Sequence, residues 1–168
     1  MTTIQGIADF IGINSTAKRL VCVHAKVGHL AVGGEGFNVP SLQEVGRQAL
    51  ASLAFISRGE PSPTWTEQRW TTDIQGNTIR LRGRNRIFGN PAALTPAQLN
   101  NELIQACRNP SFNKEIWIVG ANMTRRDSLA QGLANEPFAN RLRQFLMHWD
   151  GLQTSCAPAS VRLKYYCS

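Results

Sequence analysis

The chain lacks the short motifs that usually identify a catalytic or nucleotide-binding site. It contains no G-x-x-x-x-G-K-[ST] loop and no G-x-G-x-x-G fingerprint, so the glycine-rich stretch 33–36 is not evidence for a phosphate loop. It also contains no H-E-x-x-H zinc motif and no G-x-S-x-G nucleophile elbow. The usual sequence evidence for a P-loop enzyme, a dinucleotide enzyme, a zinc protease or an α/β-hydrolase is therefore missing.

Long apolar runs and paired cysteines are missing as well. No apolar run approaches the length of about 18 residues that suggests a membrane span, and no secretory signal is recognisable at the N-terminus. The cysteines are scattered without a C-x-x-C pair, at Cys22, Cys107, Cys156 and Cys167. We expect a cytoplasmic protein with reduced thiols, no membrane association and no cysteine-bound metal.

The composition is that of a folded, basic domain. The chain has 168 residues, of which 42% are hydrophobic and 17% are charged, which predicts one domain over 1–168 with its own core. The formal net charge of +7 favours an acidic partner, with DNA or RNA as the first candidate. We find no internal repeat, low-complexity tract or linker.

Hydrophobic patterning predicts an α/β fold with a central mixed sheet flanked by helices. Residues 7–13 and 20–26 are expected to form an antiparallel hairpin through the polar turn 14–19. Residues 115–120 form a continuous apolar run, typical of a central strand that is covered on both faces. Residues 161–167 alternate as a half-buried strand does, after a loop at 154–160.

Helix signals lie between these strands. Ser41 is a candidate N-cap for a helix to Arg58, and Glu44 would complete its capping box. Thr95 followed by proline predicts a helix to about Arg108. Further helices are expected at 124–133, capped by Thr124, and from 137 onwards along an apolar stripe.

The predicted hairpin and the helix after it bring polar side chains together. Alternate residues of a strand share a face, so His24 and Lys26 should point the same way, with Asp9 on the neighbouring strand. Glu44 and Gln48 lie four residues apart and share one face of the helix. This set is a candidate catalytic site.

The arrangement of Asp9, His24-x-Lys26 and a following helix with Glu44 and Gln48 resembles the PD-(D/E)XK nuclease-like superfamily over about residues 4–57. The resemblance implies a restriction-endonuclease-like core and metal-dependent hydrolysis of a phosphodiester. Asp9 and His24 would hold a divalent metal, Mg²⁺ or Mn²⁺, with the Ala25 carbonyl as a third ligand. Lys26 would orient the attacking water or stabilise the pentavalent state, supported by Gln48 or Glu44. His24 departs from the pattern, which has an acid there, and an imidazole shifts metal preference toward Mn²⁺, Fe²⁺ or Zn²⁺.

Non-catalytic interpretations remain open for each of these residues. Asp9 could be a strand-end carboxylate that pairs with Lys26, and His24 could be a half-buried histidine that donates to a backbone carbonyl. The capping box alone explains Glu44. Gln48 could be a solvated helix residue. The chain would then be a non-catalytic binding or assembly module with the same fold.

A second candidate surface follows from residues 70–86. A hairpin with its turn at 75–77 is predicted, and its second arm has arginines at alternate positions, Arg80, Arg82, Arg84 and Arg86. On a strand they would share one face and could contact the phosphates of DNA or RNA. They could equally be a charged edge strand or the interface of a homo-oligomer. Trp65 and Trp70 could stack on bases or pack in the core.

Overall fold

The computed structural model describes residues 8–29, 36–59, 74–75, 80–81 and 95–167. These residues form one α/β domain built on a four-stranded mixed sheet with the strand order β1-β2-β5-β6. The elements follow the chain as β1 (Phe10–Asn14), β2 (Arg19–Val27), α1 (Val39–Arg58), β3 (Ile74–Gln75), β4 (Arg80–Leu81), α2 (Pro96–Arg108), β5 (Asn113–Ala121), α3 (Arg126–Ala134), α4 (Asn140–Cys156) and β6 (Val161–Cys167).

The predicted N-terminal hairpin is confirmed. β1 and β2 pair antiparallel, with Phe10 opposite Val23. The Asn14 side chain accepts a hydrogen bond from the Ala17 amide at 2.8 Å and so closes the turn. β1 is thus an outer strand of the sheet, paired with β2 alone.

The other two pairings in this sheet are parallel. β2 pairs with β5, and β5 pairs with β6, which makes β5 a central strand as predicted. α1 follows β2 and α4 precedes β6, and both pack on the same side of the sheet. The core lies between that side and the helices, where the largest fully buried apolar side chains include Leu20, Leu42, Ile56, Leu103, Ile116, Ile118 and Leu142.

The start of α1 differs from the prediction. The N-cap is Asn38, whose side chain accepts a hydrogen bond from the Ser41 amide at 3.0 Å, so Ser41 lies inside the first turn. The predicted capping box of Ser41 and Glu44 is therefore wrong. The helix begins at Val39, directly after Asn38, so that Pro40 lies in its first turn. The helix ends as predicted, with Gly59 in the left-handed conformation after Arg58.

Two boundaries near the C-terminus also differ. Thr124 does not cap α3; its N-cap is Arg125, and the Thr124 hydroxyl instead accepts a hydrogen bond from Tyr165 at 2.9 Å. Residues 154–159 were expected to be loop but continue α4 and then form a short 3₁₀ turn, Ala157–Ala159. The prediction of loop at 160 is consistent with Ser160, which has a positive φ of 53°.

The hairpin at residues 70–86 is only partly described. Ile74 pairs with Leu81 and Gln75 with Arg80, so Gln75, which was predicted to lie in the turn, belongs to the first strand. Arg82, Arg84 and Arg86 lie outside the described residues, and so do Trp65 and Trp70. For Arg80 the structure describes the backbone pairing alone.

All four cysteines are free thiols. Burial raises the pKa of the Cys22 thiol to about 12 and that of Cys107 to about 11. Neither is a ready nucleophile at neutral pH. Among the described residues, no helix has both the length and the apolar character that crossing a membrane requires.

Candidate functional site

Lys26 lies near the carboxyl end of β2 and reaches the first half of α1. Its Nζ atom is 2.7 Å from Oε1 of Glu44, which forms an ion pair between the strand and the helix. Both side chains are partly open to solvent. Glu44 thus has a contact outside its own helix.

Asp9 lies just before β1, at the edge of the sheet where the carboxyl ends of β2, β5 and β6 lie. Its Oδ2 atom accepts a hydrogen bond from the Ala25 amide at 2.8 Å, and its own amide donates to the Val23 carbonyl at 3.0 Å. Asp9 is exposed. The direct pairing of Asp9 with Lys26 that we considered is not formed. The Asp9 carboxylate accepts from the Ala25 amide instead, and Lys26 pairs with Glu44.

His24 points to the same side as Lys26 but is enclosed. It is 2% exposed, and its Nε2 atom is 2.6 Å from Oγ of Ser52 on α1. Burial lowers the pKa of His24, and the nearby Asp9 carboxylate opposes that effect. The histidine is therefore held neutral between the strand and the helix at physiological pH.

Ser52 is the residue of this group that sequence reasoning missed. It lies on the buried stripe of α1, between Ala49 and Ile56 at helical spacing. A lone hydroxyl on an otherwise apolar helix face needs a buried partner, and that requirement was the available signal. Although Asp9, His24 and Ser52 resemble a hydrolase triad in type, Ser52 is fully buried and no substrate can reach it.

Gln48 is exposed on α1, one turn after Glu44. Within the described part of the chain its side chain makes no hydrogen bond. The structure thus brings Asp9, His24, Lys26 and Glu44 to one edge of the sheet and leaves Gln48 on the solvent side of the helix.

The donor atoms at this edge do not fit a metal held by protein ligands alone. His24 uses Nε2 on Ser52 and is shielded from solvent. Across the residues that the structure describes, no three His, Cys, Asp or Glu side chains lie close enough to hold one ion. Asp9 and Glu44 supply carboxylate oxygens, which Mg²⁺ and Mn²⁺ prefer, but together they fall short of a coordination shell.

A second polar cluster lies on the other side of the sheet. Glu115 on β5 is buried, and it accepts hydrogen bonds from Arg19 at 2.8 Å and from the Trp117 indole at 2.6 Å. Lys164 on β6 lies 3.1 Å from the same carboxylate oxygen. Sequence reasoning missed this cluster, although a glutamate at the start of an apolar strand run indicates a buried partner.

Comparison of the chain with family models, with curated proteins and with solved structures finds no match.

Proposed function

We propose that this chain is a nucleic-acid-binding protein whose nuclease-like site lies at the carboxyl end of β2. The observation that carries this proposal is the Lys26–Glu44 ion pair, with Asp9 hydrogen-bonded beside it at Ala25. Open α/β sheets bind ligands at the carboxyl ends of their parallel strands, and β2, β5 and β6 all end at this edge.

The order of elements supports the resemblance to PD-(D/E)XK nucleases. A strand that ends in His24-x-Lys26 is followed by a helix that packs on the sheet and places Glu44 on the lysine. An ammonium group has three N–H donors, so Lys26 can donate to a phosphate oxygen as well as to Glu44. The basic net charge of +7 and the arginines at 80–86 point to the same class of partner, DNA or RNA.

Metal-dependent hydrolysis is the catalytic part of the proposal. The residues at the edge do not make a complete metal site, so a divalent metal such as Mg²⁺ or Mn²⁺ would depend on oxygens of the bound phosphodiester as well. Asp9 and Lys26 are the residues whose loss should abolish cleavage. We expect a cytoplasmic location, and the four free thiols, three of which are buried, are in line with it.

A second candidate function is a non-catalytic binding or homo-oligomeric assembly module with this fold. The His24–Ser52 hydrogen bond favours it. His24 stands where the superfamily has an acid, and its side chain joins β2 to α1 instead of facing solvent. In that case the ion pair of Lys26 and Glu44 is structural.

Cleavage of plasmid and labelled oligonucleotides with Mn²⁺ or Mg²⁺ distinguishes the two functions. In Asp9→Asn the new amide oxygen still accepts from the Ala25 amide, so the variant removes charge while it preserves the fold. We expect Asp9→Asn and Lys26→Gln to lose at least about a hundredfold in cleavage rate. Lys18→Gln is the matched control, because Lys18 is exposed in the turn at the opposite edge of the sheet.

The outcomes separate cleanly. Loss in both site variants with full activity in Lys18→Gln supports the nuclease. Equal residual cleavage in the parent and both variants identifies a contaminant and contradicts it. Nucleic-acid binding by the parent without cleavage in either metal supports the non-catalytic module.

A further inference from the structure

The sheet has an open face, which we define as the side presented by the odd-numbered residues of β2 and β5 and the even-numbered residues of β1 and β6. The described helices pack against the other side, where His24, Lys26 and Tyr165 make their contacts. On the open face Tyr166 of β6 is 43% exposed and its register partner on β5, Val119, is 37% exposed; Phe10, which is 64% exposed, lies on the opposite outer strand, β1. Adjacent exposed aromatic and apolar side chains on a folded domain indicate a binding surface.

Glu115 organises the centre of the open face. This single buried carboxylate binds Arg19 from β2, Trp117 from its own strand and Lys164 from β6. The contacts span three adjacent strands, so both cations and the indole ring are held in place before any partner arrives. Side chains ordered in advance lose little conformational entropy on binding.

The Trp117 ring is the common neighbour of the groups around it. Its centroid is 5.2 Å from that of Tyr166, with the ring planes 58° apart. The Arg19 guanidinium lies 5.2 Å and the Lys164 ammonium 5.8 Å from the Trp117 ring. Two aromatic rings are thus interleaved with two cations on the open face.

The charge balance of this cluster is positive. Arg162 lies directly across from Glu115 on β6 and is exposed, so it adds a cation to Arg19 and Lys164 around one carboxylate. Packing the open face on a second copy of the chain would bring two positive surfaces together, which disfavours that occupant. A polyanion with exposed flat rings satisfies both the cations and the aromatic side chains.

We propose that the open face binds single-stranded nucleic acid, with the bases stacked on Tyr166 and Trp117 and the phosphates on Arg162, Arg19 and Lys164. Bases in a duplex are already stacked on one another and cannot stack on side chains of a sheet, whereas those of a single strand can. This inference extends the proposed function by naming the strandedness of the partner and a surface separate from the Lys26 edge.

The test is fluorescence anisotropy with a labelled oligo(dT) or oligo(U) of about 20 nucleotides, in EDTA so that binding is measured without cleavage. A duplex of equal length is the comparison. We expect the parent to prefer the single strand. Tyr166→Ala should weaken single-strand binding by about tenfold, and Tyr166→Phe should restore it, because stacking needs the ring and not the hydroxyl.

Arg162→Gln tests the phosphate contact. It should reduce the slope of log affinity against log salt by about 0.7, the value for one contact to a single strand. Arg58→Gln is the matched control, because Arg58 is an exposed arginine at the end of α1 on the helix side of the sheet. Circular dichroism of each variant checks that the fold is retained.

The possible results decide the inference independently of cleavage. Single-strand binding that falls in Tyr166→Ala and Arg162→Gln but not in Arg58→Gln supports it, even when no variant cleaves. Unchanged binding in Tyr166→Ala and Arg162→Gln overturns it, even when Mn²⁺-dependent cleavage at Lys26 is established. Dimers in analytical ultracentrifugation that dissociate in Tyr166→Ala, without single-strand binding, overturn it in favour of a second copy of the chain.

Discussion

The Glu115 cluster should make the stability of the protein depend on acid pH. Burial alone would raise the pKa of the Glu115 carboxyl, but hydrogen bonds from Arg19, Trp117 and Lys164 outweigh burial and lower it from 4.5 to about 2. The unfolded chain then takes up this proton at a higher pH than the folded chain does. The stabilisation is complete above about pH 5 and decreases as the pH falls from 4.5 toward 2.

The size of the effect follows from the same contacts. A pKa lowered from 4.5 to about 2 is equivalent to about 3 kcal/mol if the carboxylate and its partners were shielded from water. The side chains of Arg19 and Lys164 are 41% and 38% exposed, and solvent screening weakens their contribution. We therefore expect about 1–2 kcal/mol at neutral pH.

Urea denaturation of the parent and of Glu115→Gln at about pH 7 and about pH 3 measures this contribution. The amide of glutamine keeps the size of the side chain and one acceptor oxygen, so the comparison isolates the charge. The difference in unfolding free energy should be about 1–2 kcal/mol at the higher pH and should shrink at the lower one. Glu44→Gln is the control, because its pair with Lys26 is solvent-exposed and should contribute less than about 1 kcal/mol. A difference between the parent and Glu115→Gln that is equal at both pH values would refute the argument.

Two further predictions concern α1. Because burial lowers the pKa of His24 below 6.5, the unfolded chain binds this proton at a higher pH than the folded chain does, and stability should decrease as the pH falls below about 6.5. The urea midpoints of the parent and of His24→Gln should therefore converge toward lower pH. A difference that stays constant with pH would contradict the effect of burial. Because Asn38 and not Ser41 caps the helix, Asn38→Ala should cost about 1 kcal/mol in thermal or urea unfolding and Ser41→Ala only a few tenths; the opposite order would restore the cap predicted from the sequence.

The elements that the sequence predicts well are those with a strong repeating pattern. The buried stripe predicted for α1 consists of Leu42, Val45, Ala49, Leu53 and Ile56. All but Leu53 are buried in the core, and Leu53 is partly buried and packs against it. The strand at 115–120 and the alternating strand at 161–167 are also confirmed, at β5 and β6. Apolar periodicity reports which face is buried, and burial dominates the choice of secondary structure.

Helix ends were less predictable, because two residues close together in the sequence can both supply a capping oxygen. Asn38 lies two residues before Pro40 and Ser41 one residue after it, and only the course of the preceding chain decides which of them is the N-cap. At Thr124 the hydroxyl had an alternative partner, Tyr165, which is 41 residues away in the sequence. A local sequence pattern carries no information about a hydrogen-bond partner that only the tertiary fold brings close.

The same limit applied to the candidate site. The sequence correctly placed His24 and Lys26 on one face, because alternation along a strand is local. It left open whether Glu44 or Gln48 would support Lys26, and it missed the pairing of His24 with Ser52, since both choices depend on how α1 lies across the sheet. For β5, the apolar run suggested cover on both faces, but the described helices cover one, and Trp117 and Glu115 on the other face are held by Arg19 and Lys164.

Strand β2 contributes to both proposed surfaces through residues of opposite parity. Its even-numbered residues, His24 and Lys26, bind α1, whereas Arg19 at the start of the strand binds Glu115 on the open face. Because side chains on opposite faces of a strand do not touch, substitutions at Lys26 and at the open face should have additive effects on nucleic-acid binding. Additivity in the double variant Lys26→Gln with Arg162→Gln would identify two separate contacts with the polymer. A combined loss no larger than that of either single variant would mean that one surface positions the strand for the other.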